Sequence, residues 1–275
     1  MPIFTLTTDL GKDTHLLAKA KMRLLAALPT ATIIDVAHHI TPFSIDEAAY
    51  MMRTCVDDFE QGTIHLISVD VDFKKYPNLL ACVYKGQIFI TADNGLLTLF
   101  APADETVYYK LPYEEMPEGN FFPLKHALVP AAIAIAQNGI EKVGKRIDHV
   151  LEKLLEQPLE SKDKLRGHIL YVNNYNNAIT NITRTMFDNV RAGRNFEVVL
   201  NYFDSINSIS EHYSDVEEGE SLCFFNEDGL LEIAVNRAEA SQLLGLEKGK
   251  RVTVEFFDSN PSSSAAKTPK TGSLL

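Results

Sequence analysis

The chain has 275 residues, of which 45% are hydrophobic and 23% charged, and its formal net charge is −11. This is the size of one large domain or two ordinary ones, with the composition of a globular protein that folds in water. The acidic balance excludes nucleic acid or an anionic membrane as the main partner and leaves room for a small, even cationic, molecule.

No apolar run approaches the roughly 20 residues that span a bilayer, so no membrane partner is expected. Cys55, Cys82 and Cys223 lie far apart with no CxxC pair. That argues against structural zinc and a disulfide framework, and fits a reducing compartment. The first residues, MPIFTLTTDLG, lack the basic and apolar regions of a signal peptide, so a cytoplasmic location is expected.

Residues 3–8 form an apolar, Thr-rich run that reads as a strand ending at Asp9-Leu10-Gly11. Residues 16–28 are strong helix formers and stop at Pro29. A short strand at 31–36 leads into His38-His39-Ile40-Thr41-Pro42-Phe43. Ser44 is then the predicted N-cap of a helix over 45–59, with Glu47 placed to complete a capping box. Residues 62–77, GTIHLISVDVDFKKYP, give a near-continuous apolar strand that closes on Asp70 and breaks into a charged loop. Alternation of strand and helix predicts an α/β domain with a mostly parallel sheet and right-handed crossovers. In such sheets the ligand crevice lies beyond the carboxyl ends of the strands. Asp70 is therefore either a residue of the chemistry or an ordinary acid capping a turn.

Residues 79–84 and 87–91 read as paired strands turning at Lys85-Gly86, and Asp93-Asn94-Gly95 as a turn in which Gly supplies the positive φ. Residues 112–123 read as a loop. Residues 126–138 read as a helix whose first true turn begins at Pro130 and which Gly139 ends. The charged stretch 147–166 marks a change of composition. It divides the chain into an N-terminal domain (1–150), a linker (151–166) and a C-terminal domain (167–258), with a Ser/Pro/Lys-rich, disordered tail at 259–275. Six strand-like runs, HILYVNNY, ITNITRT, FEVVLNYF, SLCFFN, LLEIAV and RVTVEFF, predict a small β-barrel or sandwich with one short helix at 238–244.

There is no P-loop, GxGxxG, GxSxG or HExxH, which removes the usual routes to ATPase, dehydrogenase, serine hydrolase and zinc protease. His38-His39 beside Asp35 is a weak metal signal, because a lone HH pair on one loop is more often structural. Asn173-Asn174-Tyr175-Asn176-Asn177 offers amides that can read a base or a carboxylate, and is equally suited to a tight turn. The residues by themselves reach no reaction.

Taken together and in order, TLTTDLG, IIDVAHHITPFSIDEAA, GTIHLISVD, ADNGLLT, YVNNYNNAITNI and GLLEIAVNRAEASQLLG resemble the S-adenosylmethionine hydroxide adenosyltransferases, relatives of the adenosyl-dependent chlorinases and fluorinases. The resemblance runs from Ile3 to about Phe257. It implies an N-terminal α/β domain, a C-terminal β-barrel-like domain, and a homotrimer whose ligand lies between one subunit's first domain and the next subunit's second. The implied reaction is attack by water at the ribose C5′ of S-adenosylmethionine, releasing methionine and leaving adenosine. A sulfonium departs as a neutral thioether, so the chemistry needs an aligned, desolvated nucleophile and a base more than an acid. No metal or other cofactor is implied.

Residue by residue, the resemblance implies that Asp9 holds the ribose hydroxyls, that Phe43 and Phe122 line the pocket, and that Asn177 faces the methionine end. Tyr175 stands near the adenine, and Asn236 and Arg237 fall in the segment that reads it. Asn173 replaces an Asp that would pair with the methionine ammonium. Asp70 matches the acid of a water-activating Asp/Arg/His set. The loop after it is about two residues shorter than the family's and carries Lys74 and Lys75; the family His falls at Pro123, with Lys125 and His126 displaced along the helix start. The acid after DLG also drifts, since Asp13 is one residue early and Thr14 stands in its place. This divergent pattern implies a hydrolase whose catalytic set is rebuilt from Asp70, Lys74 or Lys75 and His126, or a non-catalytic adenosyl-ligand binder. A halogenase fits less well, because a carboxylate at Asp70 repels an incoming halide.

Overall fold

A computed structural model describes residues 1–113, 121–200 and 204–258. The middle of the expected loop at 112–123, the last residues of FEVVLNYF and the expected tail at 259–275 lie outside the described residues. The chain divides into two units, Met1–Leu155 and Glu156–Leu275.

The first unit is built on a seven-stranded sheet. Its strands are β1 (Ile3–Thr8), β2 (Thr32–Ala37), β3 (Ile64–Ser68), β4 (Leu79–Tyr84), β5 (Gln87–Ala92), β6 (Val107–Leu111) and β7 (Lys145–Ile147), in the spatial order β2-β1-β3-β5-β4-β6-β7. The first four in that order run parallel, and β4, β6 and β7 extend the sheet antiparallel. β3 is buried at every position, as a strand covered on both faces must be. Side chains alternate between two cores. Phe4, Leu6, Leu66, Leu79 and Ala81 pack beneath α1 (His15–Ala27) and the helix ending at Asn138. Ile67, Val69, Leu80, Cys82 and Phe89 pack beneath α2 (Ile45–Cys55) and α3 (Leu96–Phe100). The period of two along each strand produces this α/β/α layering.

Three local readings change. Ser44 does sit at the N-cap of α2, but its side chain makes no capping bond; its hydroxyl donates to Asp46 Oδ1 (2.9 Å) and Glu47 turns back to accept from the Thr41 amide (3.2 Å). The expected capping box is therefore not formed. The helix expected to begin at Pro130 begins earlier, with a π turn at Leu124–Leu128 that runs into α4 (Val129–Asn138). The Val129 amide reaches back to the Leu124 carbonyl, and Pro130, which has no amide hydrogen, stands where the wide turn passes into α-helix. Gly139 ends α4, followed by the short α5 (Ile140–Val143). The hairpin at Lys85-Gly86 forms as expected, with φ of 49° and 74° at the two turn residues.

The second unit holds an eight-stranded antiparallel sheet. Its strands are β8 (Leu159–Glu160), β9 (Lys164–Val172), β10 (Ala178–Thr183), β11 (Asn195–Val199), β12 (Ser205–Ile206), β13 (Ser221–Phe225), β14 (Leu230–Val235) and β15 (Arg251–Phe257). The order is β12-β11-β15-β9-β10-β14-β13, with β8 on β9. A bridge from Ile209 to Cys223 and the Ser210 amide on the Cys223 carbonyl (2.9 Å) draw the two ends together, so the sheet is a nearly closed barrel. Two sequence expectations shift here. Strand begins at 159 and again at 164, inside the stretch read as linker, because β8 pairs with β9. ITNITRT is not all strand: β10 stops at Thr183, which caps α6 (Arg184–Arg191) by accepting from the Met186 amide. Phe187 of α6 is fully buried against Phe196, Phe225 and Phe256, and this apolar anchor selects helix over strand. The short helix expected at 238–244 is α7 (Ala240–Leu243). Among the described residues no helix is long and apolar enough to cross a membrane.

Candidate active site

β1 and β3 lie side by side and parallel, so the acids that follow them emerge at one edge of the sheet. Asp9 Oδ2 accepts two backbone hydrogen bonds, from the amides of Phe43 (3.0 Å) and Asp70 (3.3 Å). Both donors have left-handed backbones, with φ of 66° at Phe43 and 48° at Asp70. That conformation is costly for residues with a side chain and clusters at functional sites. One carboxylate oxygen thus holds two strained loops, and among the described residues Oδ1 takes no hydrogen bond. Phe43 itself is 73% exposed, an aromatic face presented beside Asp9.

A second clamp, which the sequence reading took only for a turn, comes from Asn94. It is fully buried, and its Nδ2 donates to the carbonyls of Val69 (2.9 Å) and Asp70 (3.2 Å) while its Oδ1 accepts from the Leu96 amide. Gly95, with φ of 88°, lets the chain turn immediately after it. The end of β3 is therefore fixed from both sides, by Asp9 and by Asn94.

The Asp70 carboxylate is mostly buried. Tyr76 donates its hydroxyl to Oδ2 at 3.3 Å, and the Lys75 ammonium lies 4.0 Å from the same oxygen and 4.7 Å from the centre of the Tyr76 ring. The Tyr76 side chain, and after it the Asp70 charge, hold Lys75 above the ordinary lysine range, with slight desolvation opposing. The turn that achieves this is local: the amides of Lys75 and Tyr76 both bond the Asp72 carbonyl, and the Lys74 amide bonds Asp72 Oδ1. Of the two lysines, the structure brings Lys75 to Asp70. His126 stands in the π turn, where its Nδ1 accepts from the Phe122 amide (2.8 Å). A neutral ring so held carries its proton on Nε2 and is presented as a donor. Burial, then the charges of Lys125 and Arg23, push its pKa down. No hydrogen bond or ion pair joins His126 to Asp70 among the described residues. An aromatic row, Phe73 to Phe121 (5.7 Å) and Phe121 to His126 (5.9 Å), connects the loop after Asp70 to that helix start.

The second unit contributes an open groove lined by residues from three segments, among them Tyr175, Asn177, Tyr213, Asn236 and Arg237. The Asn-rich stretch is both things its composition allowed. It is a turn, with Asn173 and Asn177 paired through the backbone and Asn176 at φ 60°. It is also a side-chain network. Asn173 Oδ1 accepts from the amides of Tyr175 (2.9 Å) and Asn177 (3.1 Å), and its Nδ2 donates to Glu232 Oε1 (3.2 Å). Asn177 donates to the same Glu232 oxygen and to the Tyr213 hydroxyl, both at 2.8 Å. Glu232 and Tyr213 were not singled out in the sequence, although a lone Glu inside the apolar run LLEIAV was a visible signal. Arg237 has φ 56° and pairs with Glu218 at 3.2 Å, while Asn236 holds the Val216 carbonyl. Tyr175 is 78% exposed.

The His38 ring, weighed as a metal ligand, is engaged by Thr8 Oγ1 at 3.0 Å; its Nε2 lies 3.0 Å from Asp35 Oδ1 but is not aligned for a hydrogen bond. Among the described residues no three His, Cys, Asp or Glu side chains are grouped to hold a metal ion.

A layered α/β unit with paired acids at its strand ends, followed by a barrel with an amide-rich groove, defines a protein built to bind a small polar molecule. The particular kind follows from comparison: the chain belongs to the SAM hydroxide adenosyltransferase family, whose N-terminal domain model matches residues 4–144 and whose C-terminal domain model matches residues 167–253. It is 25% identical to an (R)-S-adenosyl-L-methionine hydrolase of Methanocaldococcus jannaschii, covering 90% of this chain and 93% of the relative. It is 26% identical to a protein of the same name from Thermus thermophilus, covering 91% of this chain and 98% of that one. Among solved structures, an uncharacterized conserved protein from Thermotoga maritima superposes with a TM-score of 0.79 at 25% identity, over 92% of this chain and 99% of the other.

Proposed function

We propose that this protein hydrolyses S-adenosylmethionine to adenosine and L-methionine, with no added cofactor. The observation that carries the reading is the junction of Asp9 and Asp70: two acids at the carboxyl ends of adjacent parallel strands, tied through Asp9 Oδ2. Membership of the family across both halves of the chain, and relatives named as hydrolases, support it.

In this reading Asp9 Oδ1 accepts the ribose hydroxyls, and Phe43 and Phe122 wall the ribose. Asp70 orients a water and takes its proton as the oxygen attacks C5′. The C5′–S bond breaks as the new C–O bond forms, and its electron pair stays on sulfur, which leaves as neutral methionine. Lys75 sets a positive charge beside Asp70 and Tyr76 fixes its rotamer, the part that an Arg plays in the family pattern. His126, with Nε2–H as donor, serves to hold the water; Lys74 stays outside the chemistry. Asn177 takes the methionine end, and Tyr175, Asn236 and Arg237 take the adenine. The same carboxylate at Asp70 disfavours a halide as nucleophile.

The exposure of Phe43 and Tyr175 supports a pocket completed by assembly: a homotrimer in which one copy's Asp9, Phe43 and Asp70 face a neighbour's Asn177, Asn236 and Arg237. The proposed setting is the cytoplasm, and the proposed division is a domain at 1–150, a linker at 151–166 that also carries β8 and the first residues of β9, a barrel at 167–258 and a tail at 259–275. Light scattering should give about three times 30.7 kDa. Incubating the pure protein with S-adenosylmethionine and resolving nucleosides by chromatography tests the reaction. Adenosine should appear above spontaneous breakdown, and Asp70→Asn should slow its formation by roughly two orders of magnitude, the scale of a lost general base. Tight binding without turnover would leave a binding protein instead.

A further inference from the structure

The loop that brings Lys75 and Tyr76 to Asp70 is short, charged, and exposed at Asp72, Lys74, Lys75 and Pro77. Its internal turn, closed on the Asp72 carbonyl and carboxylate, gives it a shape but does not fix that shape against the domain. Tyr113 does so from outside the loop. β4 and β6 are antiparallel with Leu79 opposite Leu111, and that register carried two residues further sets Tyr113 opposite Pro77. Pro77 and Pro112 have no amide hydrogen to continue the ladder. The Tyr113 hydroxyl donates to the Pro77 carbonyl at 3.3 Å. Its ring stacks on Phe73, with centroids 4.4 Å and planes 25° apart, a favourable geometry for two aromatic side chains. Phe73 and Pro77, the two points so gripped, bracket Lys75 and Tyr76 in the chain. Phe121 then meets Phe73 edge-on, and all three rings pack on the core beneath α1.

We propose that Tyr113 is a positioning residue for the reaction, acting through Phe73 and Pro77 to hold Lys75 and Tyr76 on the Asp70 carboxylate. The same aromatic row ties this loop to the π turn that bears His126, so the two separated parts of the site share one support. Tyr113 acts only through other residues, its hydroxyl on the Pro77 carbonyl and its ring on Phe73. The inference deepens the proposed function and rests on it for the reaction that the loop serves. It also gives a part to the aromatics of the stretch 112–123, which the sequence reading left as a loop.

Trypsin cuts after lysine, so Lys74 and Lys75 report the loop directly: in the folded chain, cleavage there follows the population that has left its place. Tyr113→Phe keeps the ring and loses the bond to Pro77, whereas Tyr113→Ala loses both. Cleavage after these two lysines, measured relative to the other lysines of the full chain, should rise about tenfold in Tyr113→Ala, the scale of one stacked ring and one hydrogen bond. Tyr113→Phe should raise it about threefold, and it carries the test should the alanine variant fail to fold. With S-adenosylmethionine as substrate, kcat should fall about tenfold in Tyr113→Ala and less in Tyr113→Phe, because a loosened loop no longer aligns Asp70. KM should stay within about twofold, since the ribose acid Asp9 is untouched. Unchanged cleavage, raised cleavage with unchanged kcat, or a rise in KM as large as the fall in kcat overturns the proposal. Should the unaltered protein not turn over S-adenosylmethionine, the functional reading fails and cleavage decides this one alone: a rise confined to Lys74 and Lys75 upholds the hold that Tyr113 has on the loop, and no rise overturns it.

Discussion

Acidification should destabilise the first unit through a single histidine on β3, the strand that leads to Asp70. His65 is fully buried on β3, stacked on Phe89 at 4.3 Å, with Nδ1 2.7 Å from Thr5 Oγ1 and Nε2 2.7 Å from Gln87 Oε1. Gln87 spends its amide hydrogens on the carbonyls of Val56 and Phe59, so its oxygen faces the ring and Nε2 carries the proton. Burial lowers the pKa from 6.5 to about 4, with the Gln87 bond opposing. Between those values the unfolded chain binds a proton that the folded one refuses. Stability is therefore full above pH 6.5 and is lost as pH falls toward 4, by roughly 3 kcal/mol in all and about 2 kcal/mol at pH 5. Urea unfolding at pH 7.5 and pH 5 should show this loss in the native sequence. His65→Gln, which cannot titrate, should show a loss smaller by about 2 kcal/mol. Equal pH dependence in the two proteins would refute the argument that His65 is held neutral.

Asp9→Ala should cost roughly 2–4 kcal/mol, the partly screened sum of two charge-assisted bonds to backbone amides, measured by the same urea titration. Asp9→Asn, which keeps an acceptor oxygen, should cost less. Asn94→Ala leaves two strand-end carbonyls and one amide unpaired at a fully buried site, so a loss of roughly 2–4 kcal/mol is expected. Hydrogen exchange should rise over residues 68–72 in this variant; an unchanged pattern would show that Asn94 does not hold Asp70 in place.

What the sequence made legible were features carried by neighbours along the chain. The apolar run of β3, the acid after it and the parallel placement of β1 followed from periodicity and from the rule that crevices lie beyond strand ends. Missed features depend on contacts distant in sequence. Arg184, Thr185 and their β-branched forerunners read as strand until Phe187 is seen buried among three other rings. Asn94 looked like turn chemistry because its partners, the carbonyls of Val69 and Asp70, lie 24 or more residues back. Tyr213 sits in an acidic stretch with no pattern of its own, and only the approach of Asn177 gives it a role. The capping box at Ser44 shows the opposite failure: the local motif is present, and Glu47 takes a different partner.

The central claim is that water attacks C5′ of S-adenosylmethionine in a site ordered by Asp9 and Asp70. Turnover in water labelled with heavy oxygen, followed by mass spectrometry of both products, tests it most directly. The account predicts one heavy oxygen on the 5′ position of adenosine and none in methionine. Unlabelled adenosine, label in methionine, or no turnover at all would contradict it.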